Sequence, residues 1–532
     1  MTIERWSPPS APSAKEERIL KRLKRNRKLF AFLRTHRLEI LDQAFQEKLA
    51  AMYRDTGAGS QATAPGLMCM ALLLQSYSMA SDAEAVELTV MDARWKLVLD
   101  RLGQDDPAFS QGALHRFRER LIEHDMDREL LERTVEVARK TKDFDWKKLP
   151  KKLHVGMDSR PLRGAGRVED TFNLLGHAAR KIAECAADLS GLTFEQVCRR
   201  GGARVLLASS VKAGLDVNWS DPEQKEEALE RLVAQVGGLA NWVNRLFAGE
   251  ALEGPITRYI RALEQIQDQD LEESEEGRPQ IRQGVAKDRR ISIEEQEMRH
   301  GRKSKSHRFN GYKEHIAAEL DEGIILACDV TPANTPEEEA GQPMKEDIER
   351  QGFRIAQLSI DRGYLNSPIV GQVEDSGGEV TCKPWPLRNN KGLFSKRDFD
   401  INLRDKTVTC PAGEVEHFDP GQVVQFDPDA CGACKLRSDC TLSASGRGRT
   451  VKIAEDEQRQ QRLRRAQSTR KGREKLRNRT AIEHRLAHVS ARKGHRARYN
   501  GARKNTYDLR RTAAIQNLET IQRRSEAKSK SA

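Results

Sequence analysis

The chain has 532 residues, with 92 Lys+Arg against 80 Asp+Glu, a formal charge of +12 and a charged fraction of 32%. The length and a hydrophobic content of 37% predict several domains with real cores and exclude a disordered chain. Aromatics at 5% argue against a base-stacking single-strand binder, and the charge-free stretch 64–80 is interrupted by Pro65, Gly66 and Gln75, which argues against a membrane span. The basic surplus is uneven. Residues 451–532 carry 24 Lys+Arg against 8 Asp+Glu, and Lys15–Arg37 carry 10 against 2. Two basic blocks around a near-neutral body favour phosphate contacts at both ends over ordinary solvated tails. The first residues hold no apolar leader segment, so a cytoplasmic, nucleoid-associated protein is expected.

In chain order, residues 1–17 begin Pro- and Ser-rich and predict a disordered start. From 18 to 150 the pattern is helical: Leu38, Ile40, Leu41, Phe45 and Leu49 mark one apolar face, and Gly66 to Met79 reads as a buried helix. Ser110 caps a helix that carries Arg116, Arg118 and Arg120 beside apolar Leu114, Phe117 and Leu121. A DNA-binding helix-turn-helix and an ordinary helical bundle both fit that pattern. Alternation at 153, 155 and 157 predicts a strand ending in Asp158. Residues 171–285 predict a helical insert, closed by a solvated acidic linker over Glu264 to Glu276. Strands are expected again at 308–318, 323–331, 357–361 and 379–383, with short helices at about 336–350 and after Pro368. The expected fold is a mixed α/β core split by its insert.

Asp158 and Asp361 end two of these strands, and strand ends line the functional edge of such sheets. Their carboxylates suit Mg²⁺. A third acid comes from a predicted helix, Arg473 to Ser490, whose buried face is Ile482, Leu486 and Val489. Glu483 adjoins that face. It reads either as a metal ligand or as an i,i+4 partner of Arg479, with Glu474 as the rival acid. Lys303, Lys313 and Arg362 are candidate phosphate contacts near the same edge.

These pieces occur in order as Val155-Gly-Met-Asp158-Ser, Met298-Arg-His-Gly-Arg-Lys303-Ser, Phe309-Asn-Gly-Tyr-Lys313, Val330-Thr-Pro-Ala-Asn334, Ile360-Asp361-Arg-Gly-Tyr364 and Arg479-Thr-Ala-Ile-Glu483-His-Arg. As a set they resemble the bacterial insertion-sequence transposases of the DDE, RNase H-like superfamily, in the subgroup with an InsH-type N-terminal domain and a Cys-rich insert. The resemblance implies that Asp158, Asp361 and Glu483 form a triad holding two Mg²⁺ ions, with Mn²⁺ as an alternative. Two metals would flank a scissile phosphate without a protein-linked intermediate. Double-stranded DNA, both element ends and target, is the implied partner, handled by a homodimer or larger assembly. A related pattern, Tyr-x2-Arg-x3-Glu-x6-Lys, is matched at Arg479 and Glu483. Leu476 and Ser490 depart from it, with Arg492 or Lys493 standing in for the final base.

Cys410, Cys431, Cys434 and Cys440 read C-x20-C-x2-C-x5-C, a spacing that fits a structural Zn²⁺ site. A redox Cys-x2-Cys pair or unligated thiols are the alternatives. The remaining five cysteines read as small core residues. The expected layout is a helical DNA-binding domain over 18–150 and an RNase H-like core over 151–390. A Cys-rich zinc insert follows over 391–450, then the catalytic helix and the rest of the core over 451–515, and a basic tail over 516–532. The functions that compete with transposition are a Mg²⁺-dependent nuclease without strand transfer and a zinc-containing, non-catalytic DNA-binding regulator.

Overall fold

The computed structural model describes residues 3–23, 28–53, 62–140, 149–248, 253–304, 306–387, 392–444 and 446–529. At its centre lies a six-stranded mixed sheet. The strand Lys152–Arg163 runs antiparallel to Arg308–Glu319 on one side, with Asp158 opposite Ile316. On its other side it runs parallel to Arg354–Ser359, which pairs in parallel with Glu379–Thr381. Arg308–Glu319 continues antiparallel to Ile325–Pro332, and its first residues pair with a strand that sequence patterning missed, Arg299–Arg302. That short strand, Arg-His-Gly-Arg, has no apolar alternation to reveal it.

Leu153, Val155 and Met157 are buried, as their alternation predicts. Gly156 lies on the opposite face, where a Cβ would meet Leu320 Cδ2 at 2.7 Å and Ile482 Cβ at 3.2 Å. The bare backbone there lets the helix Thr480–Lys493 settle directly on the strand that carries Asp158. The predicted helix from Arg473 is in fact two helices, Arg470–Asn478 and Thr480–Lys493. The turn tightens at Arg479, whose carbonyl accepts from the Ile482 N–H only three residues on, at 3.1 Å.

The N-terminal helices and the sheet share one continuous apolar core, running from Trp6 to Ile521. The expectation of disorder over 1–17 is therefore corrected for residues 3–17. Trp6 is buried and exchanges backbone hydrogen bonds with the Gln46 amide, both at 3.0 Å, and Ala14–Arg22 is helical with a Ser13 cap. Arg34 donates to the Ser10 and Ala11 carbonyls and pairs with Glu16, while Arg37 donates to the Pro9 carbonyl. Two bases of the N-terminal basic block are thus buried fasteners. Of its predicted apolar face, Ile40, Leu41, Phe45 and Leu49 are buried, but Leu38 is exposed. Helix Pro65–Ser78 is buried on nearly every side, as predicted. Helices Ala93–Leu99 and Gln111–Glu123 are separated by residues 100–110, a longer connection than the turn of about three or four residues in a helix-turn-helix.

The basic tail over 516–532 is corrected in the same way. Residues up to Ser529 belong to the helix Ala502–Ser529, with Leu518 and Ile521 fully buried. Asn517 fixes this helix to the edge of the sheet: its side chain accepts from Ile325 N–H and donates to the Ile325 carbonyl, both at 2.8 Å. The helical insert has its own core, and its last helix is Pro255–Asp270. The supposed acidic linker is half helix, half hairpin: Ile266 is buried, Asp270 is buried against Arg289, and Leu271–Glu273 pairs with Pro279–Ile281. The Cys-rich insert forms small sheets around a third core of Phe399, Val408, Phe418 and Phe426. Among the described residues no helix is long and apolar enough to cross a membrane.

Candidate active site

Asp158 sits in the middle of its strand rather than at the end, because pairing continues to Arg163. Asp361 follows Arg354–Ser359 by two residues and caps a short turn, accepting from the Gly363 N–H at 2.9 Å. The buried Tyr364 hydroxyl in that turn shares a 2.6 Å hydrogen bond with His315 Nδ1, and His315 Nε2 reaches Thr331 at 2.9 Å. Burial keeps this imidazole neutral, pushing its pKa down to about 3. On the third element Ile482, Leu486 and Val489 are buried as the spacing predicts, which leaves Glu483 beside the sheet. The rival, Glu474, pairs with Arg470 at 3.1 Å on the exposed preceding helix and does not line the cleft.

Asp158, Asp361 and Glu483 line a single cleft of about 920 Å³ together with Lys303, Lys313 and Arg479. Arg479 spans two of the acids, 2.6 Å from Glu483 and 3.5 Å from Asp158. Burial pushes the Asp158 carboxyl up to about 6, reinforced by the Asp361 and Glu483 charges and opposed by the Ser159 N–H and Arg479. Burial likewise lowers the Lys313 pKa, and its ammonium donates to the Thr335 carbonyl at 2.7 Å. Among the described residues no group of three or more His, Cys, Asp or Glu stands in metal-holding geometry. In this cleft the acid oxygens of Asp158 and Glu483 turn toward the guanidinium of Arg479. The donor chemistry nonetheless fits hard cations: several carboxylates line one partly desolvated cleft.

The remaining predicted DNA contacts divide sharply. Arg116 is exposed. Arg118 is buried and holds Asp82 through two hydrogen bonds of 2.9 and 2.8 Å, and Arg120 stacks over the Tyr53 ring at 4.4 Å. Arg362 donates to the Pro384 carbonyl at 2.8 Å, away from the cleft lining. Arg492 pairs with Glu519 and lies over Tyr77. The Lys493 side chain is 2% exposed, between Glu314 at 2.8 Å and Asp508 at 3.0 Å. Arg118 and Lys493 are therefore corrected: partners inside the fold take up the charges assigned to DNA. Neither Arg492 nor Lys493 replaces the missing base of the related pattern; Ser490 itself lines the cleft. Sequence reasoning missed Glu337, Arg302 and His307, which also line it. Glu337 was hidden in an acidic run, Glu337-Glu338-Glu339, that reads as ordinary solvent-facing charge.

The four insert cysteines line one small pocket of about 30 Å³. Backbone N–H groups of Arg449 and Leu436 point at Cys431 and Cys434 sulfur, each at 3.4 Å, and a turn closed by Gly413 N–H folds back on the Cys410 carbonyl. Of the other five, Cys69, Cys198, Cys328 and Cys382 are buried and Cys185 is half-buried.

A transposase DDE domain family matches residues 285–518, and a transposase domain family (DUF772) matches residues 17–120. No curated protein and no solved structure matches the chain. The first match spans Asp361, Glu483 and the basic side of the cleft, and the second spans the N-terminal helices that share its core. On these two matches, which between them cover most of the chain, it belongs to the insertion-sequence DDE transposases.

Proposed function

We propose that the protein cuts double-stranded DNA at the ends of its mobile element and joins the freed 3′-OH to target DNA. The observation that carries this reading is the meeting of Asp158, Asp361 and Glu483 in one cleft walled by Lys303, Lys313 and Arg479. The three acids would hold Mg²⁺, or Mn²⁺, which when bound activates the attacking oxygen and neutralises the leaving one. Lys303 and Lys313 hold and orient the phosphodiester, and no Ser, Tyr or Cys nucleophile is required. Arg479 keeps Asp158 and Glu483 paired until phosphate and cations draw it away, then supplies a planar donor fork for the phosphate. Two ends must be handled together, which calls for a dimer or larger assembly on DNA.

The test is incubation of the full chain with pre-cut element ends, supercoiled plasmid and Mg²⁺. Joined product is the expected result. Cleavage of uncut ends under conditions that give no joining would instead identify a nuclease. Binding without cleavage, unaffected by loss of the acids, would identify a regulator.

The Cys410–Cys440 cluster is proposed as a structural Zn²⁺ site: thiol groups share one pocket, and N–H groups aimed at sulfur are the usual support of thiolate ligands. Elemental analysis of the purified chain is expected to give about one zinc per molecule. A zinc chelator should lower the melting temperature, and Cys434→Ser should remove that chelator effect. A protein free of zinc whose melting ignores the chelator would rule the site out.

A further inference from the structure

Glu337 opens a short turn, Glu337–Ala340, beyond the strand Ile325–Pro332, and its side chain enters the cleft beside Asp361. The Ser159 hydroxyl, one residue from Asp158, donates to Glu337 Oε1. Its other oxygen packs on Gly363, where a Cβ would collide with Glu337 Oε2 and stand 3.1 Å from Asp361 Oδ1. Glycine at 363 thus leaves room for the Glu337 carboxylate beside that of Asp361. Lys313 lines the same cleft, its ammonium donating to the Thr335 carbonyl, and its charge is felt by both carboxylates. Two neighbouring carboxylates withdrawn from water repel each other, and among the described residues no ion pair draws Lys303 or Lys313 between them to cancel that repulsion, while Arg479 is engaged by Asp158 and Glu483. A divalent cation between Asp361 and Glu337 would cancel it.

We propose that Glu337 is a fourth acid of the metal site, sharing a cation with Asp361, and that Ser159 and Gly363 position it there. The proposal rests on the reading of this cleft as a metal-dependent centre. It is tested on the full chain without DNA, by titrating Mn²⁺ and following free Mn²⁺ by electron paramagnetic resonance. Glu337→Gln preserves shape and the acceptor for Ser159, and is expected to weaken Mn²⁺ binding about 10- to 100-fold. The melting temperature of the metal-free protein should be unchanged or higher, since a repulsion has been removed. Glu337→Asp withdraws the carboxylate but keeps its charge, and should lose less affinity. If Asp158→Asn and Asp361→Asn weaken Mn²⁺ binding while both Glu337 variants bind like the parent, the fourth acid is overturned and the triad stands. If none of the variants changes Mn²⁺ binding, the metal-centre reading itself is overturned.

Discussion

Asp158→Asn is expected to reduce metal-dependent cleavage of element-end DNA by roughly 10³-fold or more, since charge stabilisation by a bound metal is worth several kcal/mol. The change is isosteric, and Asp158 lies on a strand inside the shared core, so binding of end DNA should stay close to that of the parent. Gel-shift and cleavage measured on the same samples check both halves. A parallel loss of binding and cleavage would remove Asp158 from the chemistry. The raised pKa adds a pH signature. Below about 6 the Asp158 carboxyl is protonated, so Mn²⁺ affinity of the free protein should fall as pH drops from 8 to 5, with its midpoint near 6. The effect on folding has the opposite sense. A carboxyl that holds its proton more tightly in the folded state stabilises the fold fully below its ordinary value of 3.8, and that contribution is lost as pH rises through about 6. Without metal, Asp158→Asn should therefore melt at a higher temperature than the parent at pH 8, and the difference should shrink toward pH 4.

Lys493→Met is expected to destabilise the protein by about 3–5 kcal/mol, the usual consequence of removing one partner of a buried ion pair. Lys493 ends the helix that carries Glu483. Its ammonium joins Glu314 of the central sheet, itself fully buried, to Asp508 of the C-terminal helix. Arg160 pairs with the same Glu314, and Arg511 continues from Asp508 at 2.6 Å to Gln75 at 2.6 Å in the N-terminal helices. One chain of charges thus ties the Glu483 helix, the sheet, the C-terminal helix and the N-terminal helices together. With Lys493 gone, Glu314 and Asp508 lose a shared cation in a region water cannot reach. Thermal melting and soluble yield report the loss. An unchanged melting temperature, with the slope of log affinity against log salt reduced by about one, would instead make Lys493 a phosphate contact.

The parts of the site that were legible in sequence are those fixed by local periodicity. Alternation around Val155 located the strand of Asp158, and the spacing of Ile482, Leu486 and Val489 located the buried face beside Glu483. Asp361 followed from its place after a strand. Glu337 was not legible, because nothing in a run of three glutamates distinguishes the one that packs on Gly363. The strand Arg299–Arg302 was likewise hidden: its pairing depends on Arg308–Glu319, not on its own composition.

The charge surplus divides the two kinds of information most clearly. Sequence by itself determined that basic residues concentrate in 451–532 and near the N-terminus, and that Asp158 and Glu483 fall within a strand pattern and a helix pattern. Only the tertiary structure decided which bases are available. Arg34, Arg37, Arg118 and Lys493 are bound to carbonyls and carboxylates inside the core, whereas Lys303, Lys313 and Arg479 face the cleft. The physical reason is that a cation's role depends on what desolvates and pairs with it. Here those partners lie tens to hundreds of residues away, as Asp82 does for Arg118 and Glu314 for Lys493, where no sequence window can register them.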